Sequence, residues 1–178
     1  YVVPAFTEKF YKSIWANAEK SGKDKLLKIM IPVSNGLRKI GIDLRGVLFK
    51  SVHDAFGGNL KQIVCGGAPI RPEIGKFFND IGITLLNGYG ISECSPLVSV
   101  NRLQFNDSST VGVVLPCCEI KFENVTPEGD GEICVKGDIV MMGYYKNPDA
   151  TKDAIKDGWF YTGDYGFFNE RGQLSISG

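Results

Sequence analysis

The chain has 178 residues, with 20 lysines and arginines balanced by 20 aspartates and glutamates. A net charge of zero argues against nucleic acid as the main partner, and without a run of about 18 apolar residues there is no helical membrane span. With 43% hydrophobic and 22% charged residues, the composition is that of an ordinary globular protein, long enough for one large domain or two small ones with a real core.

In chain order, periodicity predicts a first helix over residues 4–20, with Phe6, Phe10, Ile14, Trp15 and Ala18 on its apolar side and Ser21-Gly22 as its stop. Its polar side carries Lys9, Lys12 and Lys20 interleaved with Glu8 and Glu19. That pattern is a solvated face, with peripheral contact to a membrane surface as the alternative. A second helical stretch, 25–40, is interrupted at Pro32. A third runs over 44–56, with Val47, Leu48, Val52, Ala55 and Phe56 inward and Gly57-Gly58 as the stop. His53 near its end reads as a helix-terminal or core histidine.

A strand–loop–helix–strand unit follows. Gln62 to Cys65 is a buried strand, Gly66-Gly67-Ala68-Pro69 breaks it, and Pro72 suits the first position of a helix. Ile74, Phe77, Phe78 and Ile81 make that helix's apolar face, and Gly82 ends it. Ile83 to Leu86 is a second buried strand, expected to lie parallel beside the first through a right-handed crossover. Both strands run into glycine loops, Gly66-Gly67 and Gly88-Tyr89-Gly90, at the carboxyl ends where parallel sheets bind ligands.

The polar loop Asn106-Asp107-Ser108-Ser109 marks a change of character, which divides the chain into an α/β part, 1–108, and a β-rich part, 109–178. Period-two segments follow at Glu119–Glu123, Glu132–Lys136, Tyr165–Phe168 and Gln173–Ser177, with a short helix over 148–155. The expected fold is therefore α/β: a partial parallel sheet with flanking helices, then a small antiparallel β-barrel-like subdomain.

The chemistry concentrates in Asn87-Gly88-Tyr89-Gly90-Ile91-Ser92-Glu93. Glycines permit positive φ and close approach to a ligand. The Tyr89 ring can present a flat face to a base, Ser92 can donate to a phosphate oxygen, and Glu93 can hold Mg²⁺, which commonly bridges phosphates and one or two carboxylates. Other signals carry less. The five cysteines include no Cys-x-x-Cys pair, and the single His53 cannot complete a metal site. An odd number of mostly apolar-flanked cysteines fits a reducing cytosol. Cys94 has no basic neighbour in sequence to activate it. Ser21-Gly22-Lys23 is no phosphate loop, because Asn17 stands where the first glycine belongs. Gly88-x-Gly90 is no dinucleotide fingerprint, because Glu93 stands where the third belongs.

Four motifs together resemble the adenylate-forming superfamily, and among its members the long-chain fatty acid–CoA ligases. The aromatic-Gly-x-Thr-Glu signature corresponds to Tyr89-Gly90-Ile91-Ser92-Glu93, with Ser in place of Thr, and the Gly-Gly-Ala-Pro loop stands one helix upstream. Gly131 to Gly137, followed by Gly143-Tyr144-Tyr145-Lys146-Asn147-Pro148, matches a third segment, and Trp159-Phe160-Tyr161-Thr162-Gly163-Asp164 a fourth. The resemblance covers nearly the whole chain. It implies an ATP-dependent ligase that forms acyl-AMP and then acyl-CoA from a carboxylic acid, with Mg²⁺ and CoA, in the cytoplasm. It implies nucleotide contacts from Gly66, Gly67, Ala68, Asn87, Gly88, Tyr89, Gly90, Ser92 and Asp164, with Asp164 on the ribose. Ser92 and Glu93 take catalytic roles, and Glu93 holds the metal. The superfamily's phosphate-gripping loop and its C-terminal lysine have no match. This reading makes the chain a piece of a large N-terminal domain, inactive by itself. Activation of an aryl or amino acid, or a silent nucleotide- or partner-binding fragment, are the alternatives.

Overall fold

The structure, a computed structural model, describes residues 1–178 and contains mixed α/β and antiparallel β architecture. It divides into two compact units, Tyr1–Leu86 and Asn87–Gly178.

The first unit is mainly helical: α1 (Pro4–Lys20), α2 (Asp24–Lys39), α3 (Arg45–Leu48), α4 (Lys50–Ala55), β1 (Gln62–Cys65), α5 (Pro72–Asp80) and the start of β2 (Thr84–Gly90). Its core is a ladder of large side chains. Phe49, Ile74, Phe78, Ile81, Ile83 and Leu85 are all at most 1% exposed. Tyr11 meets Phe77 edge-on at 5.0 Å, and Phe10 meets Phe56 at 5.3 Å. Such T-shaped pairs add about 0.5–1.5 kcal/mol each beyond burial. All four apolar positions predicted for α5 are buried, and Gly82 ends the turn after it at φ +94°. β1 neighbours β2 in the strand order. Val2 bridges Cys65 in parallel, its N–H donating to the Val64 carbonyl at 2.9 Å.

Three helix expectations change. α2 runs unbroken through Pro32. Pro32 and Lys28 both face solvent, so water can satisfy the Lys28 carbonyl that the proline leaves without a donor. The stretch 44–56 splits into α3 and α4 at Phe49, which is 1% exposed and anchors the break, whereas Val47 is 75% exposed and Ala55 points outward. On α1, Phe6 is exposed, and the buried Thr7 sits beside it with its hydroxyl donating to the Pro4 carbonyl at 2.7 Å. His53 is structural: its Nε2 lies 2.8 Å from the Ile81 carbonyl oxygen. Arg45 joins the same region, donating to the Asn79 carbonyl at 2.8 Å and pairing with Asp43, whose carboxyl its hydrogen bonds pull down to about 2.

The second unit holds the rest of β2, then β3 (Leu97–Val100), β4 (Val113–Val114), β5 (Cys118–Glu123), β6 (Gly131–Gly137), α6 (Pro148–Ala154), β7 (Ile155–Lys156), β8 (Trp159–Phe168) and β9 (Leu174–Ile176). β2 pairs antiparallel with β3, and β3 with β4. The remaining strands form an antiparallel sheet in the order β5-β6-β8-β7, with β9 on β8. This is the expected barrel-like β subdomain. Its core gathers Tyr89, Cys94, Val98, Ile133, Val135, Phe160 and Leu174. Asn101, Thr110 and Gln173, each at most 3% exposed, bond one another and neighbouring carbonyls. They secure the polar loop 106–109 inside this unit.

Candidate nucleotide-binding site

The central motif is a strand, not a glycine loop. β2 continues through Asn87-Gly88-Tyr89-Gly90, with Gly88 opposite Val100 and Tyr89 opposite Ser99, and a register shift before Gly90. Neither Gly88 nor Gly90 has positive φ. Their small size serves another need: a Cβ on Gly90 would run into the Pro96 carbonyl, and one on Gly88 would lie 3.0 Å from the Ser99 oxygen. The close approach is to the chain's own β3. Asn87 is 5% exposed, its Nδ2 donates to the Ser108 carbonyl at 3.2 Å, and its Oδ1 is buried without a partner. A buried acceptor without a partner costs about 1–3 kcal/mol.

After Gly90 the chain makes a 3-10 turn, Ser92–Cys94, closed by Ser95 in the left-handed region at φ 59°. Cys94, 0% exposed, is the anchor. Burial, then the neighbouring Cys118 and Glu93, push its thiol up to about 12, so it is a packing residue and no nucleophile. With Cys94 turned inward, Ser92 is exposed and Glu93 half-buried. The Glu93 carbonyl accepts from the Met141 N–H at 2.7 Å, and its carboxylate accepts from the Tyr144 hydroxyl at 3.0 Å.

Tyr144 has no role in the sequence reading, although its motif is conspicuous there. The segment that carries it is built around the start of α6. Asn147 caps that helix by accepting from the Ala150 N–H at 3.2 Å, and the Thr151 hydroxyl donates to the Asn147 carbonyl and accepts from the Tyr144 N–H, both at 2.9 Å. Gly143 permits this, because a Cβ there would lie 2.7 Å from the Thr151 methyl.

Asp164 lies inside β8, so it terminates no strand. β6 and β8 pair at Cys134–Tyr161 and again at Glu132–Tyr165, which sets three residues, Thr162-Gly163-Asp164, opposite the single Ile133. This bulge needs its glycine: Gly163 has φ +76°. It needs its threonine too. The Thr162 hydroxyl donates to the Ile133 carbonyl at 2.8 Å and accepts from the Asp164 N–H at 3.0 Å, satisfying two backbone groups that the broken ladder leaves over. Gly163 N–H donates to Glu132 at 3.3 Å. The bulge aims Asp164 at Tyr89, whose hydroxyl donates to the carboxylate at 2.6 Å. Burial first, and then this bond, push the Tyr89 phenol well above its ordinary range.

Two motifs 75 residues apart thus meet in one hydrogen bond. Gly66, Gly67 and Ala68 belong to the first unit, where they form the loop after β1, with Gly66 half-buried, Gly67 and Ala68 exposed, and Gly67 at φ +87°. No cluster of three His, Cys, Asp or Glu side chains could hold a resident metal. A lone, half-exposed Glu93 suits a Mg²⁺ ion that arrives on phosphates and keeps several waters.

A profile of AMP-binding enzymes matches residues 1–145. A long-chain-fatty-acid–CoA ligase of Mycobacterium bovis is 35% identical over 99% of this chain and 31% of its own length. The corresponding Escherichia coli ligase is 40% identical over 72% of this chain and 23% of its own. The chain therefore spans less than a third of these relatives. Among solved structures, o-succinylbenzoate CoA synthetase of Bacillus subtilis with a product analogue superposes with a TM-score of 0.63 at 26% identity, over 73% of this chain and 29% of that one. The same enzyme in complex with ATP and magnesium gives 0.59 at 25% identity, over 71% and 30%. The strand motif, the β8 bulge and these matches lead to one conclusion: the chain belongs to the family of AMP-binding enzymes.

Proposed function

We propose that the chain is the nucleotide-holding part of an ATP-dependent ligase that joins long-chain fatty acids to CoA. The observation that carries this reading is the bond between Tyr89 and Asp164, which sets an aromatic ring and an anchored carboxylate side by side. Asp164 accepts from the ribose hydroxyls, and Tyr89 offers its ring to adenine while its hydroxyl orients Asp164. Gly88 and Gly90 keep the strand close to β3.

In the first half-reaction a substrate carboxylate oxygen attacks the α-phosphorus of ATP. The new P–O bond forms as the bond to pyrophosphate breaks, giving acyl-AMP. Ser92 donates to the α-phosphate oxygen. Glu93 holds Mg²⁺, which neutralises phosphate charge when bound. In the second, the CoA thiolate attacks the acyl carbonyl and AMP leaves. The residues here act by positioning and charge complementarity. Five free cysteines suit a reducing cytoplasmic location.

The names of the sequence relatives support a fatty acid substrate. The solved o-succinylbenzoate enzyme supports a second reading, activation of another carboxylic acid. Pyrophosphate release by the full-length natural protein across a panel of fatty, aryl and amino acids decides between them. Turnover with palmitate and other long fatty acids is the expected result. Turnover confined to aryl or amino acids rejects the substrate, and none with any acid rejects the ligase reading.

A further inference from the structure

The neutral chain hides a strong local asymmetry. Residues 20–39 carry six basic side chains, Lys20, Lys23, Lys25, Lys28, Arg38 and Lys39, against the single acid Asp24, a net charge of +5. The remaining residues carry the opposite excess. Along the same helix, α2, an exposed apolar ridge runs with i, i+3, i+7 spacing through Leu26, Ile29 and Val33, which are 53%, 62% and 53% exposed, and continues into Ile40 at 70%. α2 already uses its other side, where Leu27 and Ser34 are buried and Met30 and Ile31 pack on the core. The outward ridge thus lies beyond what the core needs. Lys25, Lys28 and Lys39 face outward beside it. The single acid, Asp24, pairs with Lys28 at 3.8 Å and offsets one of the six cations.

We infer that this face of α2 docks on an anionic lipid surface, with Leu26, Ile29, Val33 and Ile40 entering the headgroup boundary and the lysines pairing with lipid phosphates. An apolar ridge fringed by lysines on one helix is the pattern of an interfacial helix, and the excess of +5 selects an anionic surface over a neutral one. The α1 face, expected to be solvated, has Lys12 paired with Glu8 at 2.9 Å; membrane contact, the alternative there, is assigned to α2 instead. The inference stands apart from the ligase reading and holds whatever acid is activated.

The test is co-sedimentation of the full-length natural protein with vesicles of phosphatidylcholine alone and of an equal mixture with phosphatidylglycerol. Binding to the mixed vesicles, weak binding to the neutral ones and release by salt are expected. Each lysine near an anionic surface contributes about fivefold. Joint Lys25→Glu, Lys28→Glu and Lys39→Glu should therefore lower binding on the order of a hundredfold. Ile29→Ser with Val33→Ser should lower it with no change in thermal stability. Lys12→Glu on α1 should leave binding unchanged. Absence of binding to mixed vesicles overturns the inference, and so does unchanged binding in both α2 variants. If Ile29→Ser with Val33→Ser shifts the oligomeric state, a second copy covers the ridge. If it lowers the melting temperature by several degrees, another segment of the chain covers it. Either result with lipid binding intact also overturns the inference.

Discussion

The two carboxylates proposed to act on ATP are held in opposite ways. Asp164 stands in a strand bulge whose backbone is tied by the Thr162 hydroxyl, shaped by Gly163 and braced by Tyr89. Glu93 rides on a one-turn 3-10 segment, anchored from below by Cys94 and touched at its carboxylate by one exposed phenol, Tyr144. The difference matches the two proposed tasks. A ribose presents hydroxyls in fixed geometry, so a rigid acceptor loses little on binding. A hydrated Mg²⁺ ion arrives with its own oxygen shell, and a carboxylate that can shift by a bond rotation accommodates it.

The largest expected effect breaks the rigid side. Asp164→Ala in the full-length protein should cost roughly 2–4 kcal/mol of ATP affinity, about 30- to 1000-fold, because charge-assisted bonds are lost. Wild type should strongly prefer ATP to 2′,3′-dideoxy-ATP, and the variant should discriminate poorly; a variant that keeps the full preference removes Asp164 from the ribose. Without a structure, little stability loss would be expected from an empty ligand-facing carboxylate. The bond from Tyr89 changes that, and a loss of about 1 kcal/mol is expected as the phenol loses its acceptor.

Glu93→Gln comes next. The amide keeps the shape and loses the charge, so adenylation should fall roughly 10- to 150-fold, while binding of metal-free nucleotide changes far less. Normal turnover with normal Mg²⁺ dependence would remove the metal role.

Two hydroxyl deletions then set the sites side by side. Thr162→Val strands the Ile133 carbonyl and the Asp164 N–H, so thermal unfolding should show a loss of about 1–3 kcal/mol, together with weaker ATP binding as the bulge loosens. Tyr144→Phe should be the mildest. Its hydroxyl is exposed, so stability should not move, and the Mg²⁺ concentration for half-maximal adenylation should shift by about two- to tenfold. If Tyr144→Phe destabilised the fold as much as Thr162→Val, the contrast between a rigid and an adaptable carboxylate would be lost.

Much of this architecture was legible in the residues. Pro72, Gly82 and the Ile74, Phe77, Phe78, Ile81 stripe defined α5 because its capping and periodicity agree. The alternating segments found β5, β6 and β9 to within a residue or two for the same reason. The failures have local causes. Val47, expected inward, faces solvent and Phe49 is buried in its stead, because α3 and α4 are too short for a stripe to settle the phase. Gly88-Tyr89-Gly90 read as a loop because glycine is the strongest breaker signal, whereas in β2 it only makes room for β3. Tyr144 was in view as part of a motif, but nothing along the chain reveals that it reaches a glutamate 51 residues away.

By itself the sequence determined the residue types of the site and their order: the hydroxyl, the two carboxylates, the ring and the glycines. Chemistry resides in side chains, and four spaced motifs constrain it tightly. Which of those groups meet was decided by the tertiary structure alone. The register shift in β8 that turns Asp164 toward Tyr89, and the α6 cap that turns Tyr144 toward Glu93, follow from strand pairing and packing between distant segments. A one-residue change in the β6–β8 register would point Asp164 to the opposite face.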